Sequence, residues 1–217
     1  MHLFVTGTDT GVGKTRVTCQ WVRRWRARGV QAVGLKPIST GDRDDALQLH
    51  EAAEAELTLD EVNPCVLPLP LAPWVAARQT GIGVDSLIDF DRVAASVAEA
   101  RRRFSHVAVE GIGGWLTPLA KGRTVREWAV ELGLPVLVVA HAGLGTLNHV
   151  LLTVESIEKA GLPLLGIVLN HHREGDTPSL AAETNREALA AWTGVPVLEV
   201  PLGGELPATG VDWLPSL

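Results

Sequence analysis

The chain has no tyrosine, one methionine, three phenylalanines and two cysteines in 217 residues. Cys19 and Cys65 are far apart and lack the short paired spacing of a zinc site or a disulfide framework, which excludes both scaffolds. Positive charge is also short: 19 Lys and Arg against 25 Asp and Glu leave a net charge of −6. That balance argues against broad binding to nucleic acid or an anionic membrane, and leaves open only a local basic groove. No stretch reaches the uninterrupted apolar length of a membrane-spanning helix. The first apolar residues run straight into a glycine turn, so a cleavable leader has no place to sit. Residues Leu206–Leu217 contain no Lys or Arg, which excludes a basic amphipathic membrane helix there. There is no repeat, low-complexity tract or linker. The expectation is a cytoplasmic protein of one domain, residues 1–217, long enough to bury a full core.

What is present is an alternation of short apolar runs with longer amphipathic ones. The runs Leu3–Val5, Ala32–Leu35, His106–Val109, Val136–Ala140, Leu164–Leu169 and Val197–Val200 read as strands buried on both faces. Helices are expected at Lys14–Arg28, Asp45–Ala55, Ser86–Phe104, Val125–Leu132, Thr146–Ala160 and Ser179–Thr193. Pro135, Pro163 and Pro196 each follow a glycine and precede an apolar run, a stop followed by entry into the next strand. The pattern predicts a doubly wound, mostly parallel α/β sheet with ligands at the carboxyl ends of its strands. Asn63–Gly83, rich in Pro and Gly with no clear period, reads as a structured loop over one sheet edge and is expected to be functional. The acidic stretch Glu51–Glu61 reads as a solvated helix face. The triple Arg101-Arg102-Arg103 reads as the end of a helix, and the tail from Pro201 as loosely held.

The first strand leads into Thr6-Gly7-Thr8-Asp9-Thr10-Gly11-Val12-Gly13-Lys14-Thr15 and then into a helix. Strand, glycine turn and helix with Gly-Lys-Thr is the context of a phosphate-binding P-loop. Its backbone N–H groups and the helix dipole favour a polyphosphate, Lys14 would neutralise it, and the Thr15 hydroxyl would sit on Mg²⁺. Thr8 stands where the common spacing has glycine.

Four clusters follow at other strand ends. Lys36-Pro37-Ile38-Ser39-Thr40-Gly41 places a lysine beside the P-loop, either facing solvent or reaching an anion. Asp44-Asp45 opens a helix, as dipole partners or, if the chain folds back, as a magnesium ligand at Asp45. Glu110 ends an apolar strand before Gly111-Ile112-Gly113-Gly114-Trp115. A buried carboxylate is costly unless paired or metal-bound, which favours magnesium. Gly143-Leu144-Gly145-Thr146-Leu147-Asn148 opens a helix. On the residues alone it reads as a turn capped by Thr146, although its N–H groups also suit an anion. The pair His171-His172 reads as loop.

Together these motifs resemble the dethiobiotin synthetases over nearly the whole chain. The shared runs are Val5–Thr10 with Val12–Thr15, Lys36-Pro37 with Thr40-Gly41, Asp45-Ala46-Leu47, Asn63-Pro64 and Val109-Glu110-Gly111. Gly113-Gly114-Trp115, Thr117-Pro118-Leu119, Leu144-Gly145-Thr146 with Asn148-His149, Asn170 and Val200-Pro201 complete them. The family's P-loop carries the same threonine as Thr8. Ile112 stands where the family has a small residue, and His171 is a further departure.

The resemblance implies a P-loop NTPase-like fold and an ATP-dependent carboxylation and ring closure of 7,8-diaminononanoate with CO₂ or bicarbonate, by a homodimer with shared sites. It implies ATP on Gly11, Val12, Gly13, Lys14, Thr15 and Arg16, on Glu110, Gly111, Ile112 and Gly113, and, at its base, on Asn170, His171, Pro201, Leu202 and Gly203. Mg²⁺ would rest on Thr15, Asp45 and Glu110. Lys36 and Lys14 would be catalytic. Thr10, Lys36 and Thr40 would bind the diamine or its carbamate, and the partner's Gly143, Leu144, Gly145, Thr146, Leu147 and Asn148 the substrate's carboxylate tail. A ParA/MinD-like switch is the rival reading, but the extra P-loop lysine of that group is absent from Gly7-Thr8-Asp9-Thr10. The cobyrinic-acid amide synthases share the core but carry a glutaminase domain for which this chain has no room.

Overall fold

Six apolar runs line up as one parallel sheet, in the spatial order Val197–Val200, Leu164–Asn170, Val136–His141, His2–Gly7, His106–Glu110 and Ala32–Leu35, in a computed structural model that describes residues 1–83, 87–171 and 180–207. The strands of the sheet are β1 (His2–Gly7), β2 (Ala32–Leu35), β5 (His106–Glu110), β8 (Val136–His141), β9 (Leu164–Asn170) and β10 (Val197–Val200). Most of their residues are buried, because helices cover the sheet and an exposed parallel sheet would waste its apolar side chains. Four shorter strands lie apart: β3 (Ile38–Thr40) pairs with β4 (Cys65–Leu67), and β6 (Pro118–Ala120) with β7 (Arg123–Thr124). The helices are α1 (Lys14–Ala27), α2 (Asp44–Ala52), α3 (Leu59–Val62), α4 (Pro73–Thr80), α5 (Phe90–Arg103), α6 (Val125–Leu132), α7 (Thr146–Lys159) and α8 (Leu180–Thr193).

Chain order leaves the central strand β1 first toward β5 and β2, and later toward β8, β9 and β10, so β1 is where the winding reverses. A crevice opens at the carboxyl end of such a strand. Register decides what shares it. Val5 pairs with Glu110, and Leu35 pairs with Val109, which sets the next residue, Lys36, abreast of Glu110. On the other flank Asn170 pairs with His141 and Val200.

Three expectations need correction. Asn63–Gly83 is not a plain loop: it contains β4 and α4, too short and too Pro-rich to show a period. The Glu51–Glu61 stretch is not one helix face. α2 ends at Ala52, and Glu54 and Ala55 turn the chain at φ 54° and 57° without a glycine to announce it. The tail is held as far as it is described, with Leu206 buried and its N–H bonded to Gln20 Oε1 at 2.6 Å. Residues 208–217, His172 and the expected helix starts at Ser86 and Ser179 lie outside the described residues. Arg101–Arg103 do close α5, where cations suit the helix dipole.

Asn63, buried under β3, fixes the departure of the small sheet. Its Nδ2 donates to the carbonyls of Lys36 (2.6 Å) and Cys65 (3.2 Å), and its Oδ1 accepts from Ser39 and Arg43 at 3.1 Å each.

Candidate active site

The P-loop spans the turn between β1 and α1. Gly13, at φ 90°, precedes the first helical residue and supplies no side-chain cap, so the opening N–H groups of α1 remain available to an anion. Lys14 and Thr15 are buried. Lys14 Nζ donates to the Asp9 carbonyl at 3.0 Å. Burial, helped by the nearby charge of Lys36, lowers its ammonium to about 8.

Facing it is a buried charge cluster. Lys36 Nζ donates to Glu110 Oε1 at 2.6 Å and to Asp45 Oδ2 at 2.8 Å, and Thr15 Oγ1 donates to Glu110 Oε1 at 2.8 Å. Burial works against the Lys36 charge, but the two carboxylates outweigh it and hold the ammonium above its ordinary range. Burial likewise opposes the Asp45 charge, and Lys36 draws that carboxyl below its ordinary value. Glu110 is fully buried, and its Oε2 has no hydrogen-bond partner among the described residues. An unsatisfied buried carboxylate oxygen beside a hydroxyl and a second carboxylate is a hard oxygen donor set suited to Mg²⁺. Among the described residues no group of three or more His, Cys, Asp or Glu is placed to hold a metal unaided; phosphate oxygens and waters would complete the shell.

These groups line a cavity of about 640 Å³ together with Thr10, Gly11, Gly13, Thr40, Ile112, Gly113, Thr117 and Pro118. The Gly113-Gly114-Trp115 turn packs directly on the P-loop. A Cβ at Gly114 would stand 3.2 Å from the Thr8 carbonyl, and Trp115 N donates to Gly7 O at 3.2 Å. Trp115 Nε1 donates to Ser156 Oγ on α7 at 3.0 Å.

A second group gathers on the β9 side of the P-loop. Asn170 is buried against Gly13, where a Cβ would come within 2.0 Å of its Nδ2. That Nδ2 donates to the Val12 carbonyl at 2.9 Å, and Asn170 Oδ1 accepts from Arg16 Nη1 at 2.9 Å. His171 N donates to Val200 O at 2.9 Å. Pro201, Leu202 and Gly203 lie exposed where β10 ends.

The third group, Gly143–Asn148, lies outside the cavity. Gly145 (φ 93°), not Thr146, precedes α7, and it provides no side-chain cap. Thr146 is the first helical residue, buried with its Oγ1 unpartnered among the described residues, which corrects the capped-turn reading. Asn185 Nδ2 fixes the turn through the carbonyls of Ala142 (2.9 Å) and Gly143 (3.3 Å), and Leu144 projects 89% exposed.

A family model described as an AAA domain matches residues 1–208. Over 199 residues, 87% of each chain, the sequence is 48% identical to the ATP-dependent dethiobiotin synthetase BioD of Anaeromyxobacter dehalogenans (strain 2CP-C). This chain belongs to the dethiobiotin synthetases. The same-named protein of Akkermansia muciniphila is 42% identical over 201 residues, 91% of this chain and 90% of its own. Among solved structures, the cell division protein FtsY of Thermotoga maritima superposes with a TM-score of 0.55 at 18% identity, covering 100% of this chain and 69% of that one. That likeness concerns the fold.

For a dethiobiotin synthetase, the cavity gathers Thr10, Gly11, Gly13, Lys14, Thr15, Lys36, Thr40, Asp45, Glu110, Ile112 and Gly113 of the expected residues, Val12, Arg16 and Gly111 do not line it, and the expected base residues form a neighbouring group. Asp42 and the wall Pro70-Leu71-Ala72 also line the cavity and escaped the sequence reading. Asp42 follows β3 directly, and Pro70–Ala72 arrive because β4 runs parallel beside β3: Gly41 N donates to Leu67 O at 2.8 Å, and a Cβ at Gly41 would stand 3.0 Å from Pro70 Cβ. The glycine–proline contact left no pattern in the sequence.

Proposed function

We propose that the chain closes the ureido ring of dethiobiotin. CO₂ adds to one amine of 7,8-diaminononanoate to form a carbamate, and the carbamate oxygen takes the γ-phosphoryl group of ATP, leaving ADP. The second amine then attacks the carbonyl of the mixed anhydride and expels phosphate. The observation that carries this reading is Lys36, clasped by Glu110 and Asp45 beside the P-loop, in a chain of this family.

A carbamate and a triphosphate repel each other, so the residues must hold like charges in line. The P-loop N–H groups and Lys14 bind the triphosphate, with Gly11, Gly113 and Ile112 shaping the space around it. Lys36 balances the carbamate and the transferring phosphoryl group, its own charge secured by the two carboxylates. The hydroxyls of Thr10 and Thr40 orient the diamine. Thr15, Asp45 and Glu110 would hold Mg²⁺, which when bound would neutralise phosphate oxygens. Asn170, His171 and Pro201–Gly203 receive the base.

The substrate's carboxylate tail falls to Gly143–Asn148 of a second copy. Exposed Leu152 shares a groove with Leu116 on one side and with Trp192 on the other, and this apolar surface supports a homodimer. Two free, buried thiols, Cys19 and Cys65, support a reducing cytoplasm as the compartment. No helix among the described residues is long and apolar enough to cross a membrane.

The test is phosphate release from Mg·ATP with and without 7,8-diaminononanoate and bicarbonate, with dethiobiotin followed by mass spectrometry. The expected result is product in step with phosphate, dependent on all three substrates. ATP hydrolysis indifferent to the diamine would abandon the ring closure and keep a nucleotide site alone.

A further inference from the structure

Three side chains of α1, Arg16, Gln20 and Arg24, recur every fourth residue and so share one face of the helix. All three bond to the backbone of residues 201–207. Arg16 Nη2 donates to Pro201 O at 3.0 Å and to Gly204 O, while its Nη1 donates to Asn170 Oδ1 at 2.9 Å and His171 O at 3.3 Å. Gln20 Nε2 donates to Gly204 O at 3.4 Å, and its Oε1 accepts from Leu206 N at 2.6 Å. Arg24 Nη1 donates to Pro207 O. Residues 201–203 are exposed, and Leu206 is the buried apolar anchor of the segment. Polar contacts to α1 therefore fix the path of this loop more than packing does.

Arg16 is the centre of that arrangement. Its planar fork spans four acceptors on the two segments leaving β9 and β10, and a lysine, a point charge with three donors, could not span them all. Through Asn170, whose Nδ2 reaches the Val12 carbonyl, the same fork is tied to the P-loop.

We propose that Arg16 is the positioning residue for the base end of the bound nucleoside triphosphate. It holds Asn170 and residues 201–204 as one preformed wall, with Gln20 as its support. This rests on the reading that the base lies between Asn170 and the loop after β10. Helix α1 then serves both ends of the ligand: its N-terminus faces the phosphates, and its first turns hold the base loop in place. Preformed geometry raises affinity by avoiding loop ordering on binding, so Arg16 governs affinity for the nucleoside part and leaves the polyphosphate part alone.

The experiment is calorimetric binding of Mg·ATP and of inorganic tripolyphosphate with Mg²⁺ to the full chain. In Arg16→Ala, ATP affinity is expected to fall by about tenfold to a hundredfold, the scale of lost charge-assisted hydrogen bonds, with tripolyphosphate affinity within about twofold of wild type. Arg16→Lys should recover part of the loss, and Gln20→Ala should weaken ATP about threefold without touching tripolyphosphate; this pair carries the test if Arg16→Ala fails to fold. Unchanged ATP affinity in folded Arg16 variants overturns the proposal, as does an equal loss for ATP and tripolyphosphate. Wild-type protein that binds ATP no better than tripolyphosphate would instead remove the base site, and the role of Arg16 with it.

Discussion

Lys36 Nζ and Glu110 Oε1 lie 2.6 Å apart, with Glu110 wholly buried. They come from neighbouring strands, and the pairing of Leu35 with Val109 brings them abreast. Loss of Lys36 would leave the buried Glu110 without its cation, whereas loss of Glu110 would leave Lys36 to Asp45 alone. Lys36→Met is expected to lower turnover by about a hundredfold or more through lost charge stabilisation. It should also destabilise the nucleotide-free protein by about 3–5 kcal/mol, the cost of stranding a buried charge. Initial rates and thermal melts check both, and near-wild-type turnover would remove Lys36 from the mechanism.

Glu110→Gln keeps the shape of the side chain and removes its charge. The magnesium concentration for half-maximal activity should rise about tenfold or more, since even outer-sphere partners of a metal carry that much. An unchanged magnesium titration would return Glu110 to a structural role as the counter-ion of Lys36.

At Gly13 a methyl group meets two obstacles: a φ of 90° and the Asn170 amide 2.0 Å away. Gly13→Ala should therefore open the P-loop and reduce ATP affinity by about a hundredfold, the equivalent of roughly 2.7 kcal/mol. Calorimetry at constant helix content is the measurement. Full affinity would mean that Asn170 moves aside freely.

Glu127 closes the capping box of α6, accepting from Thr124 N at 2.7 Å and Thr124 Oγ1 at 2.6 Å. Burial opposes its charge, but these bonds and Arg126 outweigh it, bringing the carboxyl from 4.5 down to about 2. The fold thus prefers the ionised form. Its contribution is complete above pH 4.5 and disappears as pH falls through about 2. The melting-temperature gap between wild type and Glu127→Gln should hold from pH 5 to 8 and close below that range, and a gap constant down to pH 2 would contradict this account.

Leu144→Asp puts a charge on the most exposed apolar residue of the Gly143–Asn148 turn. Sedimentation should show the assembly shifting to monomer, with a higher KM for the diamine. A variant that remains dimeric with an unaltered KM would place the contact elsewhere.

The six strands of the main sheet were legible because each is a short, mostly apolar run, and β8, β9 and β10 are each entered after a glycine and a proline. Val125–Leu132 matched its helix residue for residue, for it begins at a capping box and ends at Gly133. The small sheets were not legible, since strands of two or three residues carry no period. Lys36, Glu110 and the P-loop could be marked from their strand ends. The approach of Asp45 to Lys36 could not, because it depends on β3 leaving the main sheet and on α2 folding back. Asp42 and Pro70–Ala72 were hidden for the same reason.

Asn63 ties β3 and β4 to the carbonyl of Lys36, and this small ladder, not the main sheet, carries Thr40 toward the cavity and, across from it, Pro70–Ala72. The half of the cavity that would meet the acceptor molecule is thus held by this ladder and by the Asn63 amide, apart from the strands that fix the P-loop. Exchanges confined to residues 37–41 and 64–72, which spare Asp45, are therefore expected to reshape what the enzyme phosphorylates while its phosphoryl donor site stays intact, so a change of acceptor within this scaffold requires rebuilding an appendage and not the core.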